Sequence, residues 1–399
     1  MRQYLPALLA AAVVAFMLLL PAKLRAQTTI VGTIRHGGLV REYRLYVPAI
    51  YNTTTRTVPL LFNLHGYGSN NIEQEMYGDF RPIADTANFL IVHPNGIFDA
   101  ANNRNWNTFG PRGTGVDDVA FLSALLDTMA TRYRLDPDRI FSTGMSNGGF
   151  MSYELACQLS NRIAAVASVT GTMTTGRLST WPPGRPVPVL EIHGTDDIYV
   201  PYTGSASSQF AAIPTLLAAW VQRNGCNPVP TIAPVPDTNT ADGSTAERSV
   251  WTGGPNGGVV EHYRIIGGGH TWPGAAITLA IAAGTTNRDI NASNEVWRFL
   301  RPYRLSRVAL ATAAAKTSIR RLEVFPNPTA TVVTIHAGTS LSASALTLHD
   351  ALGRALPHQA QVAADGNLRL TTETWPRGMY LVRVQLPTGE ILQQKLVKE

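Results

Sequence analysis

Gly144-Met145-Ser146-Asn147-Gly148-Gly149 is the segment of this 399-residue sequence best suited to covalent chemistry. An apolar, strand-like run over 139–142 precedes it and a helical pattern over 150–159 follows. A serine on a tight turn from strand to helix is lifted clear of the sheet, and glycines around it let the turn close without a side-chain clash. A serine hydroxyl is a poor nucleophile without an adjacent base, so a histidine must meet it in the fold. Of nine histidines the candidate is His270, in Gly267-Gly268-Gly269-His270-Thr271-Trp272-Pro273-Gly274, a glycine-rich loop after the last core strand. His65, His93 and His193 end predicted strands, His262 lies inside one, His36 precedes the serine without a matching loop, and His336, His349 and His358 sit near the C-terminus. The chain order serine, acid, histidine places the acid in His193-Gly194-Thr195-Asp196-Asp197-Ile198. Either aspartate is a candidate to orient the imidazole and stabilise its cation. Neighbours on an extended segment point to opposite sides, so only one of them does so.

Attack on a carbonyl leaves negative charge on its oxygen, and removing one donor to that oxygen typically costs about 3 to 4 kcal/mol, so a pair of donors is expected. The backbone N–H of Asn147, directly after the serine, is one. The other is assigned to the N–H of Tyr67, in Leu64-His65-Gly66-Tyr67-Gly68-Ser69-Asn70 after the first central strand. Trp106, Tyr202 and Trp272 lie in loops on the same side and are candidates for an aromatic wall against the substrate, Trp272 foremost because it is two residues from His270.

The elements that must hold these residues are short apolar runs bounded by Gly, Pro or Asn, at 58–64, 89–93, 139–143, 164–169, 187–192 and 261–266, which read as buried strands. Helical patterns over 116–133, 149–158 and 208–224 alternate with them. Alternation predicts an α/β fold, a mostly parallel sheet with helices on both faces, and such folds bind ligands at the carboxyl ends of their strands.

The length argues for two domains. Residues 1–26 have the form of a secretory signal, with a basic start, an apolar run over 7–20 and Leu24-Arg25-Ala26 before the expected cleavage point. The run is shorter than the roughly 18 to 20 residues a membrane span needs, and no Cys near the cleavage point supports a lipid anchor, so stable membrane insertion is not expected. An α/β domain is expected over 27–303 and an Ala-rich linker over 304–317. From 318 to 399 short alternating segments separated by turns predict a small antiparallel β-sandwich. The net charge is +6, and three of those charges, Arg2, Lys23 and Arg25, lie in the leader, leaving +3. That charge is scattered and argues against a nucleic-acid partner. Two cysteines, Cys157 and Cys226, entering an oxidising compartment permit one disulfide, with two free thiols as the alternative.

Taken together, Leu64-His65-Gly66-Tyr67-Gly68, Val116-Asp117-Asp118-Val119, the segment around Ser146, His193-Gly194-Thr195-Asp196-Asp197 and Gly269-His270-Thr271-Trp272-Pro273-Gly274 resemble the polyhydroxybutyrate depolymerase and feruloyl esterase family of α/β-hydrolases, over about residues 28–302. The resemblance implies an extracellular serine esterase with no metal or cofactor. Its substrates would be hydroxyalkanoate polyesters, feruloyl or acetyl esters of polysaccharides, or small esters. It also implies a choice between the aspartates, since the family's loop resembles His-Gly-Thr-x-Asp and the acid position falls on Asp197. The C-terminal part resembles a type A sorting domain of the type IX secretion system, through Val324-Phe325-Pro326-Asn327-Pro328-Thr329, Asp350-Ala351-Leu352-Gly353-Arg354, Pro376-Arg377-Gly378-Met379-Tyr380-Leu381-Val382 and Lys395-Leu396-Val397-Lys398. That resemblance implies a secretion machinery as partner and a secreted or cell-surface location after outer-membrane translocation. Two other functions fit part of the sequence: a secreted serine peptidase, because the same triad cleaves amides, and a non-catalytic surface protein on a hydrolase scaffold.

Overall fold

The computed structural model describes residues 27–108, 115–180, 184–277, 284–305, 322–337, 341–350, 354–386 and 391–399. The expected leader, 1–26, and most of the expected linker lie outside the described residues, as does part of the 350–354 motif. The chain divides into two compact units, Met1–Thr312 and Ala313–Glu399.

The first unit is built on one ten-stranded sheet. Its strands are β1 (Thr28–His36), β2 (Leu39–Val47), β3 (Val58–Leu64), β4 (Leu90–Pro94), β5 (Leu135–Met145), β6 (Ala165–Val169), β7 (Val189–Gly194), β8 (Thr231–Pro234), β9 (Thr245–Trp251) and β10 (Val260–Ile266). They lie in the order β1-β2-β4-β3-β5-β6-β7-β10-β9-β8. The six central strands, β4 to β10 in that order, pair in parallel. The two at each edge are antiparallel. Every residue of β3 is buried, which is why its sequence is a continuous apolar run rather than an alternation. The period of two persists inside it: Leu60, Phe62 and Leu64 enter the core on one face, Leu61 the core on the other.

Helices fill both faces, as the alternation predicts. Phe121, Leu125 and Met129 of α3 (Asp118–Arg132), Met151 and Leu155 of α4 (Asn147–Gln158), and Leu216 and Trp220 of α5 (Ile213–Arg223) pack into the first core. Tyr77 of α1 (Asn71–Tyr77), Ala84 of α2 (Arg81–Ala87) and Val296, Trp297 and Phe299 of α6 (Ala292–Leu300) pack into the second. Helix α5 starts at Ile213 rather than at 208, with Pro214 in its first turn, where a missing N–H costs nothing.

Cys157 and Cys226 are both free, so the disulfide reading is corrected. Cys157 points from α4 into the first core, where burial pushes its thiol up to about 12, while the Cys226 Sγ donates to the Gly258 carbonyl at 3.4 Å. The thiolate is the reactive form, so a buried thiol held protonated is inert. Alkylation of the native enzyme without reductant should therefore modify the half-buried Cys226 first, and Cys157 only in denaturant. A mass spectrum showing no alkylation in denaturant without reductant would mean that the two are bridged.

The second unit contains two antiparallel sheets. One is four-stranded, in the order β11 (Glu323–Phe325), β12 (Val332–His336), β15 (Leu368–Thr371), β14 (Ala360–Val362), and the other joins β13 (Leu346–Asp350), β16 (Gly378–Gln385) and β17 (Ile391–Lys398). Val333, Ile335, Leu368 and Leu370 from the first share one core with Leu348, Val382, Val384 and Leu396 from the second. These are the inward positions of alternating strands.

Candidate functional site

Ser146 stands between the end of β5 and the start of α4, with φ 54° and ψ −122°. Non-glycine residues rarely adopt such a backbone, and holding one there costs roughly 1 to 3 kcal/mol. The Ser146 N–H donates to the Val169 carbonyl at 2.8 Å, which fixes the turn on the neighbouring strand. A Cβ on Gly144 would lie 2.6 Å from the Leu64 oxygen, and one on Gly148 only 2.1 Å from it. Any side chain at either position would force the helix away from β3, so the glycines flanking the serine are steric requirements. Asn147 is the first residue of α4, and its N–H has no acceptor within the helix.

The loop after β3 lies against this turn: a Cβ on Gly66 would be 3.4 Å from Cβ of Ser146. The N–H groups of Gly68 and Ser69 donate to the carbonyls of Arg104 and Gly66. That of Tyr67 has no protein partner among the described hydrogen bonds. His65 braces the loop by donating from Nδ1 to the Gly66 carbonyl at 2.7 Å and accepting the Gly96 N–H on Nε2 at 2.9 Å. Its burial lowers its pKa to about 4, so it stays neutral. Trp106 is fully buried and cannot wall a substrate, contrary to its assignment from sequence. It ties the two donor segments together instead. Its indole N–H donates to the His65 carbonyl at 2.9 Å. The Asn147 side chain grips the Trp106 backbone, accepting its N–H at 2.6 Å and donating to its carbonyl at 3.1 Å. Asp118, of the Val116-Asp117-Asp118-Val119 motif, holds the adjoining segment by accepting the Asn107 N–H at 2.8 Å while paired with the buried Arg41 at 2.6 Å.

His270 leaves the carboxyl end of β10, and its Nδ1 donates to Asp197 Oδ2 at 2.7 Å. The other carboxylate oxygen, Oδ1, accepts the N–H groups of Tyr199 at 2.9 Å and Val200 at 2.8 Å. Burial alone would raise the pKa of Asp197, but hydrogen bonds from His193 and His270, and their charges, hold it well below the usual carboxylate range. Asp196 is exposed and engages the Thr195 hydroxyl. The loops after β7 and β10 are in direct contact: a Cβ on Gly194 would sit 2.2 Å from the Gly268 oxygen, and the Asp196 N–H donates to that same oxygen. Ser146, Asp197 and His270 thus all follow the carboxyl ends of parallel strands. Among the described hydrogen bonds none joins Ser146 Oγ to His270, and Nε2 of His270 has no protein partner.

The Trp272 assignment also changes. Trp272 is 3% exposed. It packs edge-on against Phe80 and near Tyr77, with its N–H on the Ser293 hydroxyl. Tyr202 is half-buried and hydrogen-bonds Nε2 of His262 at 3.0 Å. Tyr67, 50% exposed in the loop after β3, and Tyr199, 49% exposed in the loop after β7, are two rings that reach solvent from the loops at the carboxyl ends of the strands. The Tyr67 hydroxyl donates to Asp99 at 2.8 Å, and the Tyr199 ring lies edge-on to the His270 imidazole, centroids 5.4 Å apart. Sequence reasoning used only the backbone of Tyr67 and overlooked Tyr199. The available signal was its position two residues after the acid, in the loop already singled out. Among the described residues no cluster of His, Cys, Asp or Glu side chains is arranged to hold a metal ion.

The esterase PHB depolymerase family matches residues 41–180, and the secretion system C-terminal sorting domain matches residues 323–399. Probable feruloyl esterase C of Aspergillus clavatus is 31% identical over 239 residues, covering 56% of this chain and 78% of that protein. Putative esterase NocK of Nocardia uniformis subsp. tsuyamanensis is 28% identical over 293 residues, covering 68% and 83% respectively. A solved acetyl xylan esterase from Aspergillus awamori aligns with a TM-score of 0.46 at 14% identity, covering 61% of this chain and 94% of that one. The chain is therefore a carboxylic ester hydrolase belonging to the esterase PHB depolymerase family of α/β-hydrolases, and it carries a secretion system C-terminal sorting domain.

Proposed function

We propose that the protein is a secreted serine esterase in which Ser146 is the nucleophile, His270 the general base and Asp197 the residue that orients it. The observation that carries this reading is the 2.7 Å bond from His270 Nδ1 to a buried Asp197, on loops at the same carboxyl end of the sheet as the strained turn at Ser146. With Nδ1 donating to the carboxylate, Nε2 is left unprotonated to take the Ser146 proton. Oγ then attacks the ester carbonyl, and the N–H groups of Tyr67 and Asn147 stabilise the oxyanion. The C–O bond to the alcohol breaks as the imidazolium returns its proton to the leaving oxygen, and water releases the acyl group by the same steps in reverse. The sorting domain points to secretion or the cell surface. A cleaved leader over 1–26, followed by outer-membrane translocation and a dispensable C-terminal unit, is the export route this reading adds.

For the substrate we favour an ester of an aromatic acid over a short aliphatic one. Tyr199, edge-on to His270, and Tyr67, on the loop that carries the candidate oxyanion donor, offer two half-exposed rings, and an aromatic pair contributes about 0.5 to 1.5 kcal/mol beyond its buried area. The enzyme should hydrolyse methyl ferulate and p-nitrophenyl esters and leave chromogenic peptides intact. Tyr67→Ala and Tyr199→Ala should each raise KM for methyl ferulate by about three- to tenfold, with little change for methyl acetate. Peptide cleavage at a comparable rate would favour the peptidase reading, and an equal loss on both esters would remove the aromatic preference.

A further inference from the structure

Behind Asp197 lies a chain of fully buried polar side chains that the reaction outlined above does not use. The Tyr153 hydroxyl, on α4, donates to Glu191 Oε2 at 2.6 Å. Glu191 Oε1 meets His193 Nδ1 at 2.8 Å. His193 Nε2 donates to the Val200 carbonyl at 2.8 Å and lies 3.4 Å from Asp197 Oδ2, the oxygen that holds His270. Glu191 and His193 have no solvent exposure. Burying ionisable groups is costly unless they are paired, so an apolar pair would have been the cheaper choice under a purely structural demand.

We propose that Glu191 and His193 are positioning residues for the triad, a buried carboxylate–imidazolium pair that fixes Asp197 and sets how strongly it acts on His270. This inference rests on the triad reading given above. The Val200 carbonyl only accepts, so Nε2 of His193 carries a proton. Burial pushes the Glu191 carboxyl up, while His193 and the Tyr153 hydroxyl pull it back down; in the proposed pair its Oε1 accepts from a second proton-bearing nitrogen, Nδ1, and its Oε2 accepts the Tyr153 hydroxyl. Burial alone would lower the pKa of His193, but hydrogen bonds to Asp197 and Glu191, and the charges of both, raise it to about 10. The remaining neighbours are compatible with that cation. His262, on β10, is held neutral by burial, its pKa lowered to about 3, and bonds the Glu191 carbonyl and the Tyr202 hydroxyl. Tyr202 turns its ring edge-on to His193. The His193 cation offsets part of the Asp197 charge felt by His270, so His270 gives up its proton more readily than it would beside a bare carboxylate.

The sign of the effect follows. Glu191→Gln removes the charge that keeps His193 protonated, and His193→Gln removes the cation itself. In either variant Asp197 acts on His270 without an offset, the imidazolium of His270 is favoured, and the acid limb of kcat/KM moves to higher pH. The shift should be about half a pH unit or more for opposed charges in a partly buried site. A merely structural role would lower stability or rate and leave the limb where it is. The wild-type enzyme supplies a measurement that needs no variant to fold: in ¹⁵N NMR, with His193 assigned from its backbone, both ring nitrogens should stay protonated from pH 5 to 9. An unmoved limb in a folded variant, or a His193 that titrates near pH 6.5, overturns the proposal. Ser146→Ala separates the two readings, because its inactivity combined with an unmoved limb sinks only this inference, whereas its retained activity sinks the triad as well.

Discussion

Ser146→Ala should lower kcat for p-nitrophenyl butyrate by about six orders of magnitude, and His270→Ala by a similar factor, while the double variant loses no more than either alone. In the proposed triad the hydroxyl and imidazole act as one unit. Without the base Oγ keeps its proton, and without Oγ the base has nothing to activate. Both variants should stay folded. In Ser146→Ala the backbone of the turn is still held by its hydrogen bond to Val169 and by the close passage of β3 beneath it. In His270→Ala the Asp197 carboxylate keeps the Tyr199 and Val200 N–H groups and the neighbouring His193, so it is not left a bare buried charge. Melting temperatures measured beside the rates separate chemistry from unfolding. A folded Ser146→Ala or His270→Ala enzyme that keeps more than a few per cent of the wild-type rate refutes the assignment.

The parts legible in the sequence were those under strict local constraint. The central parallel strands are buried on both faces and so read as apolar runs, and the turn around Ser146 needs its glycines because β3 passes within van der Waals distance of it. The edge strands were missed for the opposite reason: β1 alternates between exposed and half-buried positions, and β8 is exposed throughout, so neither carries an apolar run. The aromatic wall failed on a different count. Trp106 and Trp272 do sit next to site residues along the chain, but a large ring near a polar loop is drawn into the core wherever its N–H finds an acceptor, as both indoles do. Glu191 and His193 looked like ordinary strand residues because the alternation of β7 says only that they face the same way. What makes them notable is Tyr153 arriving from a helix 38 residues earlier, a tertiary fact with no local signature.

Asp197→Asn should lower kcat by about four orders of magnitude, and Asp196→Asn by less than about tenfold. The hydrogen bonds around Asp197 dictate how an asparagine would sit. Oδ1 accepts two backbone N–H groups, so the amide carbonyl must take that place, which puts the NH₂ where Oδ2 now meets His270. An NH₂ only donates. His270 Nδ1 must then become the acceptor, its proton moves to Nε2, and in the proposed triad that nitrogen can no longer take the Ser146 hydroxyl proton. The imidazolium of the transition state also loses its counter-charge. None of this applies to Asp196, whose carboxylate is exposed and touches only the Thr195 hydroxyl, an acceptor role that an amide oxygen can fill. Rates on one soluble ester, with melting temperatures for both variants, decide the matter. If folded Asp196→Asn proves the more damaged of the two, the orienting acid has been assigned to the wrong neighbour.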